Sequence, residues 1–147
     1  MIILNCIFQA AHAGIKTETY IKYAEQQIDY MLGDSGQSFV VGFGKKYPRQ
    51  PHHKASACPS PPAQCSWETF KDTSRANPHL LLGALVGGPA APDDYYKDDR
   101  TDYVMAEVTL DYNAGFQSAV AGLISCNSSA IGNGKISQMK NWNITYL

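Results

Sequence analysis

Between residues 18 and 32 the apolar side chains Ile21, Ala24, Ile28 and Met31 recur three or four positions apart. That spacing lines them along one face of an α-helix. Thr17 supplies an N-cap oxygen, Glu18 puts negative charge in the first turn, and Gly33 offers the stop that ends such helices. A second helical pattern runs from about Tyr103 to Ile124, where Val108, Tyr112, Phe116, Val120 and Leu123 share a broad apolar arc. Ala114, Ser118 and Ala121 lie opposite and are small, which predicts a helix packed on both sides. The opening residues, 1–14, read as a third, buried helix ending at Gly14.

Elsewhere the helical period disappears. "QSFVVGFG", residues 37–44, has the β-branched and aromatic character of a short extended segment. Residues 45–94 carry all eight prolines and read mostly as loop. Long ordered loops inside compact domains are usually functional. "HLLLGALVGG" (79–88) interrupts this loop as an apolar patch, either a helical turn or a strand. After Ile124 the periodicity fades and four asparagines appear, so 125–147 reads as an irregular tail. No internal repeat is visible.

Composition narrows the class. A chain of 147 residues suffices for one domain with a core, and 44% hydrophobic with 11% aromatic residues reads as globular. Twelve basic residues against thirteen acidic ones, a formal charge of −1, argue against nucleic acid as a partner. No apolar run approaches the ~18 residues of a membrane-spanning helix, so no membrane is implied. The first residues imitate a secretory signal with Ala11-His12-Ala13 as a cleavage-like site, but they lack a basic start and a long apolar core. Cys58 and Cys65 bracket the stiff "CPSPPAQC" and read equally as a short disulfide or as two free thiols.

Two clusters could carry chemistry. In "YKDDRTDYVMAEVTLDYNAGF" (96–116), Asp98, Asp99, Asp102 and Asp111 surround Glu107 in sequence. Asp102 is explained as an N-cap of the predicted helix. Glu107 lies a full turn inside that helix, and a glutamate half-buried among carboxylates has its pKa raised by desolvation and like charge, as a general acid requires. "PRQPHHK" (48–54) sets His52 and His53 beside Arg49 and Lys54 on a proline-stiffened loop. These groups suit sugar hydroxyls or an anion, or a metal if Cys58 and Cys65 join the histidines, or only solvent. Trp67, Tyr95, Tyr96 and Tyr103 offer flat faces for sugar rings or for packing.

Taken together, "SFVVGFGKKYPRQPHHK" (38–54) and "YKDDRTDYVMAEVTLDYNA" (96–114) resemble the histidine and acidic signatures of glycoside hydrolase family 9, the inverting endo-1,4-β-glucanases, and particularly its animal members. "QIDYMLGD" before them and "GALVGGP" between them fit as well. The resemblance implies an all-α fold, part of a six-hairpin α/α barrel with long ordered loops, over residues 1–124. It implies hydrolysis of β-1,4-glucan with Glu107 as general acid and with Asp98 and His52 in the catalytic group. His53, Lys54, Tyr103 and Trp67 are the expected sugar contacts. It implies secretion, β-1,4-glucan or cello-oligosaccharide as partner, and neither cofactor nor metal. Two departures stand out. No aspartate-rich motif for the general base is found in the sequence, and Lys54 occupies a signature arginine position. A carbohydrate-binding remnant without catalysis is the alternative reading, and a metal module of His52, His53, Cys58 and Cys65 is a third.

Overall fold

The computed structural model describes residue 13 and residues 17–126. The expectations for a helix or signal at 1–14 and for an irregular tail at 125–147 lie outside those residues, except for Ala13 and for Ser125 and Cys126, which continue the preceding helix instead. The described chain divides into two compact units: one takes the residues up to Asp34 and those from Leu110 onward, the other is Ser35–Thr109.

The first unit is helical. Helix α1 spans Thr17–Asp29 and passes into a π-helical turn, Tyr30–Asp34, where Gly33 at φ 109° makes the expected stop. The last helix among the described residues, Leu110–Cys126, packs against α1. Ala24, Ile28 and Leu32 from one side and Phe116, Ala119, Val120 and Leu123 from the other are buried. The four residues of the last helix recur at helical spacing and form one stripe. The helix starts at Leu110, later than the predicted Tyr103, and Ala114, Ser118 and Ala121 are exposed, so it is packed on one side only.

The second unit is mostly irregular. Its helices are short: α2 is Lys54–Ala57 and α3 is Trp67–Lys71, so the helix of the first unit becomes α4. Among the described residues there are helices and two isolated β-bridges, Val40 with Leu85 and His52 with Glu107, in keeping with an all-α fold. The extended segment expected at 37–44 pairs with the apolar patch at 79–88. The N–H of Val41 donates to the Ala84 carbonyl at 2.9 Å, and the N–H of Val86 to that of Phe39 at 3.0 Å. The patch is therefore a paired extended segment, and it buries Leu85 and Val86 beside Phe39, Val40 and Val41 in the unit's core. Pro48 and Pro51 are fully buried too, which fixes the path of the histidine loop from beneath.

A disulfide joins Cys58 to Cys65 and closes the loop between α2 and α3. Ser66 begins α3 with a capping box, its hydroxyl accepting the Thr69 N–H while the Thr69 hydroxyl accepts the Ser66 N–H.

Candidate active site

Glu107 sits in an extended run before α4, pinned by its own backbone. The Gly87 N–H donates to the Glu107 carbonyl at 2.9 Å, the His52 N–H to that of Ala106 at 2.7 Å, and the Gly88 N–H to that of Met105 at 3.0 Å. Three successive carbonyls are thus occupied from two neighbouring segments. This is why the helix cannot begin at Tyr103: the groups a helix would use are committed to non-local partners. Met105 and Ala106 are buried, while Glu107 is exposed. The half-buried carboxylate crowded by others, expected from the sequence, is not what the fold builds.

The other acids of that stretch each have a local task. Asp98 reaches the histidine loop, its Oδ2 accepting the Arg49 N–H at 2.8 Å and its Oδ1 the Gln50 N–H at 2.9 Å. Asp99 binds Lys97 at 2.7 Å and accepts from Thr101. The Lys97 hydrogen bond, with those of Thr101, draws its pKa down to about 2. Asp102 accepts the N–H groups of Val104 and Met105 at 2.9 Å, so it closes the turn leading to Glu107 and does not cap a helix. Asp111 lies in the first turn of α4, where the helix dipole favours it.

His52 shares a parallel bridge with Glu107, so the two signature residues are neighbours across the backbone. Its Nδ1 lies 2.6 Å from the Arg100 carbonyl. A carbonyl only accepts, so Nδ1 carries the proton and the neutral ring keeps its lone pair on Nε2. His53 has the opposite arrangement. Its Nδ1 accepts the Ser56 N–H at 3.1 Å as the N-cap of α2, so in the neutral ring the proton is on Nε2.

Several supports were not foreseen from the sequence. Asn77, buried, donates from Nδ2 to the Pro51 carbonyl at 3.0 Å and to the Ser56 hydroxyl at 2.6 Å, and its N–H donates to the Arg49 carbonyl at 2.9 Å. Arg100 is 2% exposed and donates from Nη2 to the Arg75 carbonyl. Burial pushes its guanidinium below the ordinary value. Gly87 runs so close to the turn before Glu107 that a Cβ there would overlap the Val104 carbonyl oxygen. Phe70, buried, sets its ring edge-to-face with that of His52, centroids 5.4 Å apart.

The expected sugar contacts divide. Tyr103 is 70% exposed on the Asp102 turn, and Trp67 is 61% exposed on α3. Lys54 places Nζ 4.1 Å from the centre of the Trp67 ring. Tyr95 is exposed, whereas Tyr96 packs edge-to-face on Phe39 at 5.7 Å. The metal alternative is not supported, because Cys58 and Cys65 are bonded to each other and the Nδ1 atoms of His52 and His53 are already engaged.

Comparison with known proteins agrees with the signatures. A family profile described as Glycosyl hydrolase family 9 matches residues 2–120. The chain is similar to the endoglucanase of the termite Nasutitermes takasagoensis, at 52% identity and a TM-score of 0.78, over 82% of this chain and 28% of that one. It is 47% identical over 107 residues to Endoglucanase B of Cellulomonas fimi, 71% of this chain and 10% of that protein. An endoglucanase of Clostridium thermocellum, solved with cellobiose and cellotriose, is 38% identical with a TM-score of 0.62, over 80% of this chain and 19% of that one. The chain therefore spans between 10% and 28% of the length of these relatives.

Proposed function

The chain belongs to glycosyl hydrolase family 9, and on that premise we propose that it is part of the catalytic domain of an endo-1,4-β-glucanase. Its all-α architecture is then part of that family's α/α barrel, as its likeness to the termite enzyme supports. The observation that carries the reading is the backbone bridge between His52 and Glu107, with Asp98 holding the loop on which His52 stands.

Glu107 acts as general acid and gives its proton to the leaving glycosidic oxygen. As that bond breaks, a water attacks the opposite face of the sugar in a single displacement, so the configuration inverts. The base carboxylate that activates this water stands roughly 6.5–9.5 Å from the acid, and we assign it to the larger part of the domain, beyond the span this chain shares with its relatives. His52 offers Nε2 as an acceptor for a sugar hydroxyl, while the Arg100 carbonyl holds its ring. His53 offers Nε2–H as a donor, and Lys54 and Tyr103 complete the sugar contacts. Lysine in place of arginine gives a point charge for a planar fork, so a bidentate grip on the sugar is lost there. Asp98 is a positioning residue that acts through the loop. Neither a cofactor nor a metal takes part in these steps.

The substrate class is β-1,4-glucan and its cello-oligosaccharides, supported by the cellobiose and cellotriose held by the Clostridium thermocellum relative. Neither nucleic acid nor membrane is a partner in this reading. The disulfide supports secretion, since such bonds persist in oxidising compartments. No helix among the described residues is long and apolar enough to cross a membrane.

The short span relative to the relatives favours a second reading, in which this chain by itself binds glucan without cleaving it. Hydrolysis of a soluble cellulose derivative, assayed for the longest natural product containing these residues and for its Glu107→Gln variant, separates the two. Loss of turnover with retained sugar binding supports the acid. Undiminished turnover in the variant overturns it. Binding with no turnover in any natural product establishes the second reading.

A further inference from the structure

Arg100 buries a full positive charge in the loop unit, and the ordinary reason for doing so is missing. Among the described residues no carboxylate forms an ion pair with it, and its Nε–H meets no acceptor. A buried charge without an ion pair costs stability, and an apolar side chain of similar length avoids that cost. What the guanidinium does have is one directed bond, from Nη2 to the Arg75 carbonyl.

That bond completes a junction. Three segments meet there, 49–52, 98–100 and 73–77, and each is bonded to both of the others. Asp98 accepts the N–H groups of Arg49 and Gln50, and the Arg100 carbonyl accepts from His52 Nδ1. Gln50 donates from Nε2 to the Thr73 carbonyl at 3.0 Å, and the Asn77 N–H donates to the Arg49 carbonyl at 2.9 Å. Segment 73–77 is itself anchored at its start, where Asp72 Oδ1 accepts the Ser74 N–H at 3.1 Å and the Ser74 hydroxyl at 2.6 Å. Among the described residues the third side, from 98–100 to 73–77, is closed by the Arg100 side chain alone. A triangle closed on all sides holds its angles, whereas one open side turns it into a hinge.

We infer that Arg100 is a positioning residue for the hydrolysis: its guanidinium locks the Arg100 carbonyl in place, and that carbonyl keeps the His52 proton on Nδ1 and the lone pair on Nε2. The inference rests on the glucan reading above only for what Nε2 meets, a sugar hydroxyl. With the guanidinium gone the carbonyl turns away, the ring puts its proton on either nitrogen, and an Nε2–H ring no longer accepts from that hydroxyl.

The test is proton–nitrogen NMR of the histidine rings in the full chain, at a pH well above the ordinary histidine range so that the rings are neutral. The natural chain is expected to show Nδ1–H at His52 and Nε2–H at His53. Nε2–H at His52 overturns the inference before any substitution is made. Arg100→Met keeps the length, removes the donor, and is expected to move His52 toward the Nε2–H form while His53 stays as it was. Arg100→Lys keeps one donor on a more flexible stem and is expected to fall between the two. An unshifted His52 ring in Arg100→Met, or an equal shift at His53, overturns the lock. Should Arg100→Met not fold, an unshifted His52 ring in Arg100→Lys does so. Calorimetric titration with cellobiose reads the consequence. Arg100→Met is expected to weaken binding about tenfold, the factor that about 1.4 kcal/mol corresponds to, and to add nothing to the loss in His52→Ala. Losses that combine in full mean that Arg100 acts by a route of its own, which overturns the inference. If the natural chain takes up no cellobiose while the ring signals behave as expected, the glucan reading fails and the lock stands.

Discussion

The helical unit and the loop unit are held by different kinds of interaction. In the first, α1 and α4 bury Ile28, Leu32, Phe116 and Leu123, and apolar contact with no fixed direction supplies the cohesion. In Ser35–Thr109 the parts that matter are held by directed bonds: Asp98 on two N–H groups, Asn77 on three partners, Arg100 on a carbonyl, and three carbonyls beside Glu107. Apolar packing sets how strongly elements adhere, whereas hydrogen bonds fix distance and angle within tenths of an ångström. The residues proposed for chemistry all lie in the second kind of structure. Position there is specified bond by bond, and the helices supply bulk stability.

Substitutions can break that contrast in order of severity. Glu107→Gln is expected to lower hydrolysis by roughly 10²–10⁴-fold, the range for losing a general acid, with the melting temperature unchanged because the side chain is exposed. A large fall in stability instead would place Glu107 among the structural groups. Phe116→Ala in α4 is expected to do the reverse. It costs about 3–5 kcal/mol in denaturant unfolding, while kcat of the folded fraction stays the same. Gly87→Ala couples the two effects. Its Cβ meets the Val104 carbonyl, so about 1–3 kcal/mol is lost by overpacking, and activity falls with it because Glu107 moves.

Smaller effects sharpen the picture. Asp98→Ala strips a charged acceptor from the N–H groups of Arg49 and Gln50, costs about 1 kcal/mol, and raises KM more than it lowers kcat because His52 shifts with its loop. A fall confined to kcat would give Asp98 a direct part in the chemistry. Asp99 gives the mildest test. Its folded pKa of about 2 lies below the ordinary 3.8, so its stabilisation is complete above the higher value and lost as pH falls through the lower. Urea midpoints measured between those two pH values should fall more steeply for the natural chain than for Asp99→Asn.

The helical unit was easy to read because its cause is local. The spacing of Ala24, Ile28, Phe116, Val120 and Leu123 carries the pattern in the sequence itself, and Gly33 marks its own stop. The same logic misplaced the start of α4. Val104, Met105 and Val108 continue a helical period, but Gly87, Gly88 and His52 claim the backbone there, and partners so distant in the chain leave no trace in periodicity. In sequence Gly87 reads only as part of the apolar patch and of the family's "GALVGGP", because its constraint is a carbonyl oxygen from residue 104. By composition Asp98 is one acid among five, and only the family signature sets it apart, in the catalytic group. What distinguishes it is a bond spanning nearly fifty positions of sequence. The signature motifs name the candidate residues; the bonds that hold their segments depend on the fold.

The paired histidines have one more consequence. The two rings are spent in opposite ways. At position 52 Nδ1–H is committed to the Arg100 carbonyl, so the outer nitrogen of the neutral ring is an acceptor. At position 53 the Nδ1 lone pair is committed to the start of α2, so the outer nitrogen is a donor. Two identical side chains, adjacent in sequence, are thereby made chemically opposite by the backbone groups each one holds.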